Sequence, residues 1–538
     1  MIMNNFSSIL AATPTPTTAY IAVPMLICFF ALMLWVGFAC RKHTKSVDSF
    51  VLGGRAVGPW LTAFAFGTSY FSAVIFVGYA GQFGWNFGLA STWIGLGNAF
   101  IGSLLAWSVL GRRTRVMTQH LGSKTMPDFF EKRYDSKALK VVASFIVFVF
   151  LIPYTASLYN GLSSLFNNVF AIPYWVVVII MAVLTGIYVI FGGYMATAVN
   201  DFIQGIIMLV GIVAVIVAVL HQNGGFTAAV EALSNQAGHQ YTSLLGPDPT
   251  SLLFVVLLTS LGTWGLPQMV GKFYSIKDEG SIRKGTIIST FFAIVVAGGC
   301  YFLGGFGRLY DSPALYSASG KILNDKIIPT MLSNLSPVIV SLIIVLVLAA
   351  SMSTLSSLVL TSASTLTLDV VKPLLTKKKE MSEAKSVLIM RLFIVFFIAL
   401  SAAIAILKDT LWSNNVFIAQ MMGVSWGALA GAFLAPFLYG LYCKGTTKAA
   451  VVASFIFGTG LELVQLCISV GWISVKGLAV LEFVFTNSLY SGVFAMVGGL
   501  IIVPIASFFS AKTLPQNLDE KFSCYNEPVV TTKKKSLG

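Results

Sequence analysis

Charge is scarce in this chain of 538 residues. Asp, Glu, Lys and Arg together make up only 10%, against 57% apolar residues and a mean hydropathy of +0.85. That balance excludes the soluble globular class and implies lipid as the solvent. Histidine is rarer still: His43, His120, His221 and His239 all fall in connections or at their edges. The six cysteines stand singly, mostly inside apolar segments, with no Cys-x-x-Cys pair and no metal-ligand spacing, so they read as packing residues. The sequence also lacks a nucleophile elbow, a phosphate-binding glycine loop and paired catalytic carboxylates, which argues against an enzyme. No basic segment followed by a short apolar one opens the chain, so its first apolar segment reads as an anchor and not a removable leader.

What is present is a succession of uncharged stretches of about 20 residues, the length of a membrane-crossing helix, recurring from Tyr20 to Ser510. The expected fold is an all-α integral membrane protein with about 13 transmembrane helices. Lysine and arginine are unevenly spread over the connections. The side that holds segments 41–45, 111–140, 272–284, 377–379 and 533–535 takes about 29 of the 34, against Arg308, Lys321, Lys326, Lys408 and Lys476 on the other. By the positive-inside rule the amino terminus faces out and the carboxyl terminus faces the cytoplasm, as in a multi-pass protein of the plasma membrane. The net charge of +14 is then a topology signal, with the lipid bilayer and not nucleic acid as the partner.

Helix-weakening residues cluster within two spans. In AFAFGTSYFSAVIFVGYAGQFGWNFG (63–88) small and hydroxyl residues gather near the middle, and in LLTSLGTWGLPQMVGKFY (257–274) Gly262, Gly265 and Pro267 do the same. Proline removes a backbone donor and glycine weakens a helix. Irregular backbone at membrane depth is tolerated only where it is buried in protein or lines a cavity. Two such segments five spans apart match an inverted repeat of five plus five helices, although glycine and proline also serve as plain packing kinks. The organisation expected is an external segment 1–19, a first helix and cytoplasmic loop 20–57, repeats at 58–250 and 251–443, peripheral spans 444–510 and a tail 511–538. Within this scheme Asp201 opens the sixth span, at 198–220, where an acid can simply cap the helix.

The ninth span, LVLAASMSTLSSLVLTSASTLTLD (346–369), carries ten serines and threonines. Any one of them reads as a packing residue bonded to its own backbone, but ten exceed that need. A dehydrated sodium ion is a hard cation that takes hydroxyl and carbonyl oxygens. Ser353, Ser356 and Ser357 share one face through i+3 and i+4 spacing, and Ala350 and Thr354 share the adjoining strip.

Nearly the whole chain resembles the sodium:solute symporter family, which includes proline permeases, sialic acid symporters and sodium/glucose cotransporters. The resemblance is carried by FGGYMATAVNDFIQG (191–205), WGLPQMVGKFYSIKD (264–278), LAASMSTLSS (348–357) and GALAGAFLAPFLYGLYCKGTTKAAVVASFIFG (427–458). It implies a LeuT-type five-plus-five inverted-repeat core and sodium-coupled import of a small organic solute: an amino acid such as proline, a carboxylate, a sugar or a vitamin. The implied main sodium site joins the carbonyls of Thr68, Phe71 and Ala350 to the hydroxyls of Ser353 and Thr354. Asp201 with Ser353, Ser356 and Ser357 matches a second sodium site, so one or two coupling ions are expected, and the full set looks like a candidate for two. The implied solute site holds Tyr70, Ser72, Ile75, Tyr154 and Trp264, with Gln82 and Thr263 as weaker neighbours. Thr263 and Thr259 depart from both the proline and the sugar patterns, which leaves the solute open. A proton-coupled permease on the same fold, with Asp201 as carrier, is the alternative; a membrane sensor would need more than the 511–538 tail. Glu462 and Gln465, one turn apart outside the ten-helix core, read as an interface or partner contact.

Overall fold

The computed structural model describes residues 16–170, 172–317, 320–375, 381–411 and 417–526. Residues 1–15 and the lysine runs at 377–379 and 533–535 used in the charge count lie outside the described residues. Among the latter there is no strand beyond two isolated bridges, Val57 with Ile276 and Tyr316 with Ile322. Ten helices are long and apolar enough to cross a membrane, or eleven when the bent pair Pro249–Trp264 and Pro267–Ser275 counts as one span.

The main helices are α1 (Pro16–Ala39), α2 (Pro59–Tyr70), α3 (Ala80–Phe87), α4 (Lys137–Phe170), α5 (Tyr174–Gln222), α6 (Pro249–Leu261), α7 (Pro267–Ser275), α8 (Glu279–Ala293), α9 (Pro337–Thr365), α10 (Glu383–Leu411), α11 (Phe417–Tyr442), α12 (Lys448–Ser469) and α13 (Ser488–Phe509). Residues 92–120, between α3 and α4, are helical with two π-helical stretches. The centre of the bundle is α9, where every residue from Ile343 to Leu360 is buried. A helix buried on all faces must be packed all round by others. Here the approach is close: a Cβ on Gly211 of α5 would lie 2.5 Å from Leu346. The outside of the bundle exposes Val210, Val213, Val217 and Leu392, which suits lipid and not water.

Two chain interruptions share one geometry. After α2, Phe71 is extended at φ −81° and ψ 112°, and a π-helical segment Val74–Tyr79 follows. After α6 a 3-10 turn, Gly262–Trp264, leads to Leu266, extended at φ −82° and ψ 120°, and Pro267 starts α7. Pro267 fits there because the first position of a helix needs no amide donor. Gly265 is required by contact, since a Cβ on it would lie 2.7 Å from the Cα of Ala430 in α11.

The basic connections come together at one end of the bundle. Lys124 pairs with Asp48 at 2.8 Å, Arg112 pairs with Glu279, and Lys140 pairs with Asp128 and Glu131 at 2.8 Å and with Asp369 at 3.6 Å. A short helix, Met126–Tyr134, lies in this region, capped by the Thr125 hydroxyl. It is not a surface helix, because Phe129 and Phe130 are fully buried.

Two sequence expectations are corrected. Asp201 does not cap a helix: the 49-residue α5 breaks at Gly193 (φ 54°, ψ −147°), so Asp201 sits about two turns inside the second leg. Glu462 is not at a surface contact. It is fully buried, and a Cβ on Gly427 would lie 2.4 Å from its Oε1, which places it against α11.

Gly193 adopts a backbone conformation open essentially to glycine alone, and a Cβ there would lie 2.9 Å from the Phe50 carbonyl oxygen. Gly193→Ala is expected to lose about 1–3 kcal/mol of stability, read as a lower melting temperature of the purified protein in detergent. An unchanged melting temperature would show that the break is not held by Gly193.

Candidate functional site

A helix that stops inside the bundle leaves its last carbonyls without intrahelical partners. At the end of α2 the Thr68 carbonyl is met by two hydroxyls from α9, Ser353 Oγ at 3.2 Å and Thr354 Oγ1 at 3.1 Å. The Thr354 hydroxyl also lies 3.2 Å from the Phe71 carbonyl and 3.1 Å from the Ala350 carbonyl, and Ser353 Oγ lies 3.0 Å from the latter. The five residues named for the main sodium site are therefore gathered into one cluster of five oxygens. All five residues are buried. The cluster holds only two hydroxyl protons for three carbonyls, so it presents more lone pairs than it can satisfy internally. Neutral oxygens in this number suit a hard monovalent cation.

The second predicted set is brought together only in part. Ser357 Oγ lies 2.9 Å from Ser69 Oγ and accepts from Lys272 Nζ at 3.0 Å. Lys272 Nζ also stands 3.6 Å from Asp201 Oδ2, while neither Asp201 oxygen accepts a hydrogen bond. Ser356 Oγ instead donates to the Ser353 carbonyl at 2.9 Å, and Ser353 Oγ faces the first cluster. An ammonium thus already stands between Asp201 and Ser357. Sequence reasoning missed Lys272 and assigned it to a basic loop. It is only 4% exposed, on α7 one turn after Gln268, whose side-chain amide is buried without a partner. The signal was that Lys272 and Gln268 share a helix face between Met269, Val270 and Phe273.

The predicted solute residues are all buried, and several have unsatisfied polar atoms. The Tyr70 hydroxyl, Ser72 Oγ and Tyr154 hydroxyl make no hydrogen bond. Buried polar groups without partners are uncommon and call for an explanation such as a ligand or an unseen water. Ile75 sits in the π-helical segment after the first break. Trp264 has its indole N–H committed to the Ile101 carbonyl at 3.0 Å, and Thr263 donates towards the Gly102 carbonyl at 3.1 Å. Trp426 of α11 was not anticipated. Its ring meets Tyr154 edge to face at 6.0 Å, and it lies 3.6 Å from where a Cβ on Gly262 would be, so it links α4 to the second break. Gln82 lines a cavity that none of the five predicted solute residues lines.

Paired helix interruptions, a cluster of neutral oxygens and a buried centre with unmet polar groups together define a membrane transporter of the ion-coupled kind. The comparisons agree. The model of the sodium:solute symporter family matches residues 50–458. A sodium/proline symporter of Staphylococcus aureus is 29% identical, covering 91% of this chain and 92% of the relative. The substrate-bound, outward-open structure of a Na+-coupled sialic acid symporter superposes with a TM-score of 0.69 at 18% identity, covering 91% of this chain and 98% of that one. The chain belongs to the sodium:solute symporter family. It is a multi-pass membrane transporter and not an enzyme, with sodium and a solute as the partners its family implies.

The ion pair gives a test of the buried electrostatics. Removing one partner of a buried pair costs about 3–5 kcal/mol because the other charge is left uncompensated. Lys272→Met in sodium-free buffer is expected to lower the melting temperature sharply, and Asp201→Asn added to it is expected to recover most of the loss. If the double variant is no more stable than the single, the two groups are not paired.

Proposed function

We propose that the protein imports a small organic solute together with sodium by alternating access, the ion being held by Thr68, Phe71, Ala350, Ser353 and Thr354. The observation that carries this reading is the convergence of those five oxygens between a helix end and α9. Sodium in that position ties α2 to α9 and so organises the neighbouring solute pocket. By reciprocity the solute then tightens sodium binding. Each sodium moved inward at 100 mV supplies about 2.3 kcal/mol.

The proposed topology has thirteen crossings, with the amino terminus outside and the carboxyl terminus in the cytoplasm. Two features support the count. At 1.5 Å per residue the 49-residue α5 would run about 74 Å, more than twice the hydrocarbon thickness, so it serves as two crossings joined at Gly193. The interruptions at Phe71 and Leu266, alike in φ and ψ, support the five-plus-five repeat. The solute is assigned to the space framed by Tyr70, Ser72, Ile75, Tyr154 and Trp264, to which Trp426 is added. Aromatic faces with a few hydroxyls suit a partly apolar molecule, and the sodium/proline symporter relative favours an amino acid among the solutes considered.

The ion count follows from Lys272. Its ammonium neutralises Asp201 and bonds Ser357, so the reading is one sodium per solute; a second sodium would have to displace that ammonium. A proton-coupled permease using the same Asp201 is the competing reading.

Uptake into proteoliposomes, with a panel of labelled amino acids, monocarboxylates, sugars and vitamins, tests all three points. Replacing sodium with choline at fixed pH is expected to abolish uptake, and a sodium Hill coefficient near one is expected. Ser353→Ala or Thr354→Ala is expected to raise the sodium needed for half-maximal uptake about tenfold, equivalent to about 1.4 kcal/mol. Uptake that persists in choline and follows a proton gradient favours the competing reading, and unchanged sodium dependence in both variants removes the five-oxygen site.

A further inference from the structure

At the end of the bundle opposite the basic loops lies a cavity of about 380 Å³, within the size range of small-molecule sites. It is bounded by α3, by the connection carrying Tyr241 and Asp248, by α6 and by the start of α13. One lining residue is Arg308. Its guanidinium lies between two aromatic rings, 4.0 Å from the centre of Tyr241 and 4.7 Å from that of Trp85, and its Nε donates to the Trp85 carbonyl at 2.6 Å. Neither Nη has a hydrogen-bond or ion-pair partner among the described residues. Asp311, three residues on, accepts the Tyr316 hydroxyl at 3.3 Å instead. A stacked, planar guanidinium held by Nε alone presents its two Nη groups ready for a carboxylate.

The same cavity is lined by one acid, Asp248. One of its oxygens accepts the Ser251 amide at 3.0 Å and the other the Ser251 hydroxyl at 2.6 Å. These bonds hold its pKa below the usual carboxylate range, so it is ionised near neutral pH. Ser251 is held in turn by the Tyr490 hydroxyl at 2.7 Å. The cavity therefore offers one fixed cation and one fixed anion.

We propose that this cavity is a capture site for a small zwitterion of the α-amino acid class, its carboxylate on Arg308 and its ammonium on Asp248. The inference rests on the transport reading above, because a site at this end of the bundle serves a solute on its way to the central pocket. An arginine that only tied down the Trp85 carbonyl would show no preference among solutes, which separates the two roles.

The test is calorimetric binding to the purified full-length protein in choline chloride, where the sodium-organised central site does not compete. L-proline, L-alanine and L-leucine are the zwitterionic probes; L-prolinamide lacks the carboxylate and N-acetyl-L-proline lacks the ammonium. The wild type is expected to bind at least one amino acid, and L-proline at least tenfold more tightly than either blocked form. Arg308→Gln is expected to reduce L-proline to the level of L-prolinamide, with Arg308→Lys in between. Asp248→Asn is expected to reduce it to the level of N-acetyl-L-proline. Equal affinity for all five compounds, or no amino-acid binding in choline while sodium-driven uptake persists, overturns the capture site and leaves the transport reading standing. Binding in choline with this selectivity, combined with sodium-independent uptake, supports the capture site and overturns the sodium reading alone.

Discussion

Backbone carbonyls cannot be left bare inside a bundle surrounded by lipid, where no bulk water reaches them. When α2 ends at Tyr70, the carbonyls of Thr68 and Phe71 lose their helical partners and must be met from elsewhere. In this chain they are met by two hydroxyls on one turn of the buried helix α9, Ser353 and Thr354. Much of the architecture follows from that requirement. The helix carrying the hydroxyls is enclosed on all sides, glycines such as Gly211 admit its neighbours, and the chain interruption lies against it. The arrangement is also labile by construction, since two protons shared among three carbonyls make a network that a cation can replace without moving a charged side chain.

Charge is handled differently a short distance away. Lys272 and Asp201, both buried, balance one another, and the ammonium reaches Ser357, itself bonded to Ser69 beside Thr68. The ion pair, carried by α5 and α7, is therefore connected through Ser357 and Ser69 to α9 and α2, the two helices that hold the oxygen cluster. An ion arriving in the cluster changes the electrostatic surroundings of the pair, and a change in the pair is felt at Ser357 and Ser69. The contacts Lys272–Ser357 and Ser357–Ser69 thus form a continuous path from the ion pair to the end of α2.

The hydroxyl side of the cluster was legible in the sequence because its chemistry is local and redundant, ten hydroxyls on one span, whereas the carbonyls of Thr68, Phe71 and Ala350 came only from the family resemblance. The interruption near Pro267 was legible from its local signal too. Gly193 was not, because a single glycine in FGGYMATAVN leaves its φ open until Phe50 closes over it. That error of a few residues made Asp201 look like a cap. Lys272 was hidden by its type, since a lysine near the end of a span counts as a loop charge until tertiary packing encloses it. Trp426 belongs to a helix whose pattern is uniformly apolar, and only its meeting with Tyr154 sets it apart. Glu462 was visible as an acid within a span, but that it is enclosed follows only from the packing of α12 against the preceding helix α11. What escaped detection in each case depends on contacts between distant segments, which periodicity and composition do not encode.

The central claim is that the five oxygens of Thr68, Phe71, Ala350, Ser353 and Thr354 surround the coupling ion. High-resolution density maps of the protein prepared in sodium and in choline test it most directly. The account predicts in sodium a peak about 2.3–2.6 Å from all five oxygens, the distance taken by a hard cation of this size, and in choline no such peak, with the two hydroxyls bonded to the carbonyls. An ion found elsewhere in the sodium map, with these five oxygens bonded to one another identically in both maps, would contradict it.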